Sequence, residues 1–468
     1  MTHANHRQGN YDNLSNDFVA LAFTRETEVP VEKRQQWSEI CLRHDPVHLN
    51  PRRWQHYVFD RKEKVTALLK DLVAADLGLS ITIAGLFDQV WDCCKKAGIA
   101  PHSVNYSLGF WGRTEKLPHS RILEFTTMCG HEKVSSNLVW HLADRVREGS
   151  LTIETAVDEM SKPCLCDLFN NVRATVLFRQ LVADLKEGKL SKPQLTLKHQ
   201  VAEKTWGMAI DAQKCTGCLL CLPYCPMSAI VEMRGKGVVA IDPEECVECG
   251  TCFRVVPCPT GAIVPGELEW PHTIRMDLSD PHVPDQSPIL TGSTSSGTTD
   301  RSSLFSRPLT HRLGRDHEVK TNDVTGRYAP GFAGIRVELG RPVLGTNLRE
   351  VEKVTKLFSS LKLTPEAGPV RTLMIDLSTG ELRDDVLNEK VNRCAVEVIV
   401  PLERAPMVLQ QLRDVSGRVD TVFVINLISP ISRDGSVPVL AALKETGMKV
   451  SINGKTNVGL GRPLIKFF

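Results

Sequence analysis

The residues best equipped for chemistry lie between Cys215 and Pro259, which read CTGCLLCLPYCP, a spacer, and CVECGTCFRVVPCP. Cys215, Cys218, Cys221 and Cys225-Pro226 follow the C-x2-C-x2-C-x3-C-P spacing of iron–sulfur ligation. Cys246, Cys249 and Cys252 repeat it, but Cys258-Pro259 comes after five intervening residues instead of three. A tight loop turns three thiolates at this spacing toward three corners of one cubane, and the fourth cysteine, beside its proline, goes to the other cluster. The expected ligand sets are therefore crossed: Cys215, Cys218, Cys221 and Cys258 for one 4Fe–4S cluster, and Cys246, Cys249, Cys252 and Cys225 for the other. Zinc knuckles or a disulfide frame are the alternatives. Zinc has no use for mirrored Cys-Pro pairs, and disulfides do not suit a chain without a visible secretion signal.

Gly217 and Gly250 lie inside the cysteine loops, where a missing Cβ lets backbone N–H groups approach a cluster. Ala229-Ile230-Val231 and Ala262-Ile263-Val264 follow the two Cys-Pro pairs as matched apolar ends. With these features, residues 205–266 resemble the two-cluster bacterial-type ferredoxins. The resemblance implies an α+β dicluster domain of two β–α–β-like halves, two 4Fe–4S clusters, single-electron transport and redox partner proteins. The longer interval before Cys258 departs from that pattern, and it bears on the exposure and potential of one cluster.

The remaining chain must position this segment. At 468 residues it suggests two to four domains. A net charge of +2 gives no reason to expect nucleic acid or an anionic membrane as partner. No apolar run approaches the roughly 20 residues of a membrane span, so no membrane insertion is expected. The opening MTHANHRQGNYDNL has no apolar signal core, and fifteen cysteines without export imply reduced thiols, metal ligation and a cytoplasmic, anaerobic setting.

Residues 1–200 are expected to form an all-α region. Val65, Leu68, Leu69 and Leu72 recur at helical spacing, as do Ile83, Leu86, Phe87 and Val90. Further helices are expected near 134–148, 152–161 and 168–187. Cys129-Gly130-His131 precedes one of these and Cys164-Leu165-Cys166 another. Brought together, Cys129, His131, Cys164 and Cys166 would suit a tetrahedral zinc site or a third cluster. C-x-C is tighter than the usual zinc spacing, so packing cysteines with a solvated histidine, or redox-active thiols, stay open as alternatives.

Residues 270–332, rich in Ser, Thr, Gly, Pro and Asp after Trp270, read as a flexible linker. Residues 333–468 alternate strand and helix patterns, giving a carboxy-terminal α/β or α+β domain. Its 395–428 stretch resembles, by pattern alone, half of a ferredoxin-like or ACT-type ligand-binding domain, which would provide for a small ligand. Asn453-Gly454 is expected as a hairpin turn. Gly454-Lys455-Thr456 fails the phosphate-loop pattern because Lys449 stands where its first glycine belongs. Leu-Gly-Arg-Pro occurs at 339–342 and 460–463, and either turn could aim its arginine, Arg341 or Arg462, at an anion.

Multidomain organisation around a dicluster segment leads to an iron–sulfur electron-transfer protein serving a partner oxidoreductase or an accessory site in the same chain. Two alternatives use the flanking regions. One is a reductase whose metal or substrate site at Cys129, His131, Cys164 and Cys166 is fed by the clusters. The other is a redox-responsive regulator that binds a ligand in its last domain.

Overall fold

The structure is a computed structural model that describes residues 5–23, 29–47, 56–164, 168–193, 200–233, 235–279, 323, 326–342, 344–366 and 376–461. Short apolar runs supply the first strands: β1 (Phe18–Ala22), β2 (His56–Phe59), β3 (Ile81–Leu86) and β4 (Ser103–Gly112). The cysteine-rich segment contains β5 (Ala209–Ile210), the paired β6 (Ile230–Met233) and β7 (Val238–Ile241), and β8 (Ile263–Val264). After it come β9 (Phe332–Leu339), β10 (Thr346–Asn347), β11 (Lys390–Val391), β12 (Cys394–Pro401), β13 (Val422–Pro430) and β14 (Asn453–Asn457).

Eight strands form one antiparallel sheet in the order β12-β9-β13-β4-β14-β3-β1-β2. One device recurs in it: two strands joined by a helix straddle a third that runs antiparallel between them. β2 and β3 straddle β1 through helix Lys62–Ala75. β3 and β4 straddle β14 through helix Phe87–Lys96. β12 and β13 straddle β9 through helix Ala405–Ser416.

Strand alternation then gives the sheet two unlike faces. On one, Ile83, Tyr57 and Phe59 pack with Trp37, Val65, Leu69 and Val90 of three helices. Further along the same face, Ile335, Val337, Val398 and Ile425 meet Val354 and Phe358 of helix Leu348–Ser360 and Leu409 of helix Ala405–Ser416. The opposite face begins apolar: Val19, Val58 and Ala84 lie under helices Ser120–Thr126, Ser136–Arg147, Ile153–Ser161 and Asn171–Lys186. Toward β12 it turns polar, with Lys455, Asn105, Ser107, Asn426, Arg336, Glu338 and Glu397 all buried.

Several expectations are corrected. The region 1–200 is not all-α, because β1 to β4 alternate with its first helices and only 120–186 is helical throughout its regular elements. Ile83 and Leu86 belong to β3, and the helix starts at Phe87. A strand covered on both faces loses its alternation, so a short apolar run does not distinguish strand from helix. The two ends of the chain also share the sheet, since β14 lies between β3 and β4, so the expected units 1–200 and 333–468 are interleaved.

The stretch expected as a flexible linker begins with helix Thr273–Ser279, in which Ile274, Arg275 and Met276 are buried; residues 280–322 lie outside the described residues. Asn453-Gly454 opens β14 instead of turning. A Cβ on Gly454 would stand 2.5 Å from the Asn105 carbonyl oxygen, so that glycine serves close strand approach. Among the described residues, no helix is long and apolar enough to cross a membrane.

Candidate metal centre

β5 leads into the first cysteine loop and pairs with β8, which follows the second. β7 leads into the second loop and pairs with β6, which follows the first. This exchange makes the segment a twofold repeat, visible in the backbone as well. Left-handed φ values recur at matching steps: Gly217 (63°) with Glu248 (53°), Leu219 (62°) with Gly250 (63°), and Ser228 (53°) with Gly261 (62°). Gly217 and Gly250, the two loop glycines visible in the sequence, thus occupy different steps of the repeat. Each turn is required by position, and the partner loop meets it with a residue other than glycine.

The same exchange governs the thiols. Burial pushes the Cys221 thiol up to about 12, and its neighbours Cys215, Cys218 and Cys258 add to the shift. Burial likewise raises Cys225 to about 11, with Cys249 beside it. Burial holds Cys252 well above the usual thiol range, with Cys225 and Cys249 adding to the shift, and burial raises Cys246 in the same way, with Glu248 and then Cys252 adding to it. Cys258 therefore stands with Cys215, Cys218 and Cys221, and Cys225 beside Cys249 and Cys252.

Backbone donors converge on both fourth cysteines. Ala229 N–H donates to Cys225 Sγ at 3.2 Å, and Ala262 N–H donates to Cys258 Sγ at 3.3 Å. Burial is the largest single influence on the Cys258 thiol and raises it, but the N–H groups of Thr260, Ala262 and Gly261 with the Thr260 hydroxyl together outweigh it and hold the thiol below its usual range. A hollow open to solvent is lined by Cys215, Cys218, Cys221 and Cys258 with apolar Leu219 and Ile263. Soft thiols around an apolar hollow, with N–H groups aimed at sulfur, fit an iron–sulfur cluster.

The two sets differ in exposure. Cys218 is exposed and Cys215 and Cys258 are half-buried, whereas Cys225, Cys246 and Cys249 are buried. The buried set faces the body of the protein. Tyr224, just before Cys225, enters the helical cluster and donates its hydroxyl to Glu159. Ser135 donates to the Pro223 carbonyl, and Asn137 Nδ2 donates to Ser228 Oγ at 3.0 Å. Val255 and Val256, in the lengthened interval before Cys258, pack against the apolar cluster that these helices share with Tyr224, so the departure from ferredoxin spacing lies at the docking contact. From the other side, Arg275 donates to the carbonyls of Pro243 (2.6 Å) and Cys246 (2.8 Å).

Sequence reasoning missed Glu248 and Lys204. Glu248 is buried at the step where the first loop has Gly217. Its carboxylate takes Lys204 Nζ at 2.6 Å and the Met208 N–H at 2.8 Å, and lies 3.2 Å from Cys246 Sγ. An acid at a glycine-like step of a repeat was the available signal.

The second constellation is only partly within view. Cys129 and Cys164 join one apolar cluster, while Cys166 lies outside the described residues. Lys133 N–H donates to Cys129 Sγ at 3.3 Å. His131 is buried, and its carbonyl accepts from Asn392 Nδ2 at 3.3 Å. Helix Ser136–Arg147 is capped by Ser135, so the Cys129 loop precedes its first turn by several residues. Among the described residues, no three or more His, Cys, Asp or Glu side chains form a single-ion site. Arg341 contacts Glu132 (3.2 Å), Glu338 (2.6 Å) and the Gly130 carbonyl (3.2 Å), whereas Arg462 lies outside the described residues.

Cys394 lies in the main apolar core opposite Leu339, away from both sets. Cys394→Ser is expected to leave iron and sulfide content unchanged and to cost about 1–3 kcal/mol for a buried hydroxyl short of a partner. Iron loss in that variant, measured colorimetrically, would contradict the assignment.

Comparison with known proteins agrees on this segment. The family described as 4Fe–4S dicluster domain matches residues 214–263. An uncharacterized ferredoxin of Methanocaldococcus jannaschii is 41% identical over 58 residues, covering 12% of this chain and 89% of that protein. The indolepyruvate oxidoreductase subunit IorA of Methanothermobacter thermautotrophicus is also 41% identical over 58 residues, 12% of this chain but only 9% of that subunit. No solved structure matches.

Proposed function

We propose, for a chain that belongs through residues 214–263 to the 4Fe–4S dicluster family, that it relays single electrons between a docked redox partner and its own interior. Its ligand sets would be Cys215, Cys218, Cys221 and Cys258, of which Cys218 is exposed and Cys221 buried, and the deeper Cys225, Cys246, Cys249 and Cys252, of which Cys252 alone is half-buried. Bound 4Fe–4S clusters supply the one-electron chemistry. The protein's share is placement and insulation. Cys218, Thr216 and Leu220 present the first set to solvent, where a partner can approach. Val247, Thr251 and the docked helices keep water from the second, and a dry setting strengthens every charge interaction around it.

The observation that carries this reading is that each fourth cysteine stands beside the thiols of the opposite loop. Anaerobically reconstituted protein is expected to hold about eight irons and as many acid-labile sulfides per chain. A stoichiometric zinc content with no sulfide would refute it.

A second reading follows from the Ser135–Pro223 contact, which joins the buried set to the Cys129–Ser135 loop. In that reading the receiver of electrons is a site in this chain beside Cys129, His131, Cys164 and Cys166. Iron or zinc beyond the expected content that disappears in Cys164→Ala would favour it.

A further inference from the structure

The polar part of the sheet's second face is sealed. Register places Lys455 beside Asn105, Asn426 beside Ser107 and Arg336, and Glu397 beside Arg336. The amino-terminal segment lies across them: Asn5 Nδ2 donates to Asn426 Oδ1 at 3.4 Å, and His6 Nδ1 is 3.2 Å from Ser107 Oγ. Asn453 Nδ2 donates to the Arg7 carbonyl at 3.0 Å, which fixes that segment against β14. Lys455 is 1% exposed and Asn426 0%.

A buried charge is tolerated when it is paired. Here the carboxylates are already engaged. Glu338 meets Arg336 (2.7 Å) and Arg341 (2.6 Å), Glu132 meets Arg341, and Glu397 meets Arg336 (3.3 Å) and Arg327 (3.0 Å). Among the described residues, Lys455 Nζ has no hydrogen-bond partner, and neither does Asn426 Nδ2. Both are donors. Asn5 Oδ1 and Glu338 Oε2 also lack a hydrogen bond among the described residues, but Arg336, Arg341, Arg393 and Lys455 face Glu132, Glu338 and Glu397, so the cluster is short of negative charge. Burial holds the Lys455 ammonium well below its usual range, offset in part by Glu338 and reinforced by Arg336, Arg341 and Arg393. β4 separates the two donors, which stand two strand spacings, about 10 Å, apart across the sheet and two residues, about 7 Å, apart along it, roughly 12 Å in all. A small organic molecule together with the long lysine side chain covers that span.

We propose that this buried face is a binding site for a small molecule bearing an oxyanion group, a carboxylate or phosphate, received by Lys455 Nζ and Asn426 Nδ2. The negative charge completes the ion cluster and gives the buried Lys455 side chain a partner. The Cys129–Lys133 loop borders the site, since Arg341 joins Glu132 and Gly130 to Glu338. That loop runs on to Ser135 and the buried cysteine set. Binding itself does not depend on electron transfer, so its failure leaves the preceding proposal standing.

The test is thermal unfolding of full-length, anaerobically reconstituted protein in inorganic phosphate, in succinate, and in chloride at matched ionic strength. Phosphate or succinate is expected to raise the midpoint above the chloride value in a saturable way, and Lys455→Met should abolish the rise with iron content unchanged. No rise with either anion in the wild type, or an equal rise in Lys455→Met, overturns the proposal. Should Lys455→Met not fold, calorimetric titration of Asn426→Ser with the stabilising anion decides: affinity weakened about tenfold or more supports it, and unchanged affinity overturns it.

Discussion

Cys249→Ala is expected to lose about half of the bound iron and to unfold well below the wild type, whereas Cys218→Ala loses a similar share of iron at a much smaller cost in stability. Both substitutions remove one thiolate of four. The difference lies in what each set supports. Cys249 is buried with Cys225 and Cys246, and the loop holding Cys225 is bonded into the helical layer through Tyr224 and Ser228. Losing that cluster withdraws ligation energy from a segment that also carries the docking contact, including Val255 and Val256. Metal binding and folding are coupled wherever a site does not preform in the unfolded chain. Cys218 is exposed at the outer rim, so its cluster leaves with less consequence for the body. Iron analysis beside a thermal melt measures both, and equal midpoints for the two variants would refute the asymmetry.

The second large effect concerns Asp17. This carboxylate is fully buried between Arg7 and Arg173, with Arg173 Nη1 at 2.7 Å and Asn170 Nδ2 at 3.1 Å. Arg7 also donates to the carbonyls of Met128 and Leu168, so the trio ties the amino-terminal segment to the helical layer. Asp17→Ala leaves two buried guanidinium groups without their shared anion and is expected to cost about 3–5 kcal/mol. Denaturant unfolding measures this, and a change under about 1 kcal/mol would contradict the assigned role.

The pH dependence has a definite sign. Burial opposes the charged form of Asp17, but Arg7 and Arg173 outweigh it and hold the carboxyl below its ordinary value. A depressed carboxyl contributes stability that is fully present above its unfolded value of about 3.9 and is lost as pH falls through the folded value. Wild-type stability should therefore fall in acid, and Asp17→Ala should flatten that fall.

How far the chain was legible from sequence depends on what each residue type reveals locally. The cysteine spacing exposed the cluster segment because ligation is set by short intervals, and the repeat needed no tertiary information. The helices carrying Val65 to Leu72 and Val351 to Phe358 were equally legible, since each has one apolar stripe against one layer. Strands β1 and β3 were hidden because helices cover both of their faces. The placement of β14 between β3 and β4 was beyond reach, since no local pattern joins residue 454 to residue 85.

Lys455, Asn426 and Glu338 were illegible for a related reason. In a strand pattern, polar residues at alternate positions read as a solvent face, as with Arg336 and Glu338 in the IRVEL stretch. Only the covering segment, Asn5 to Arg7 with the 129–133 loop, turns that face into an interior.

Crossed ligation is tested most directly by the iron content of two double variants. If Cys225 belongs with Cys249, then Cys225→Ala/Cys249→Ala removes one cluster and keeps about four of about eight irons, no fewer than either single variant. Cys225→Ala/Cys221→Ala then strikes both sets and should leave almost no iron. Retention of about four irons by Cys225→Ala/Cys221→Ala, with loss of all iron from Cys225→Ala/Cys249→Ala, would mean that each loop ligates its own cluster and would contradict the account.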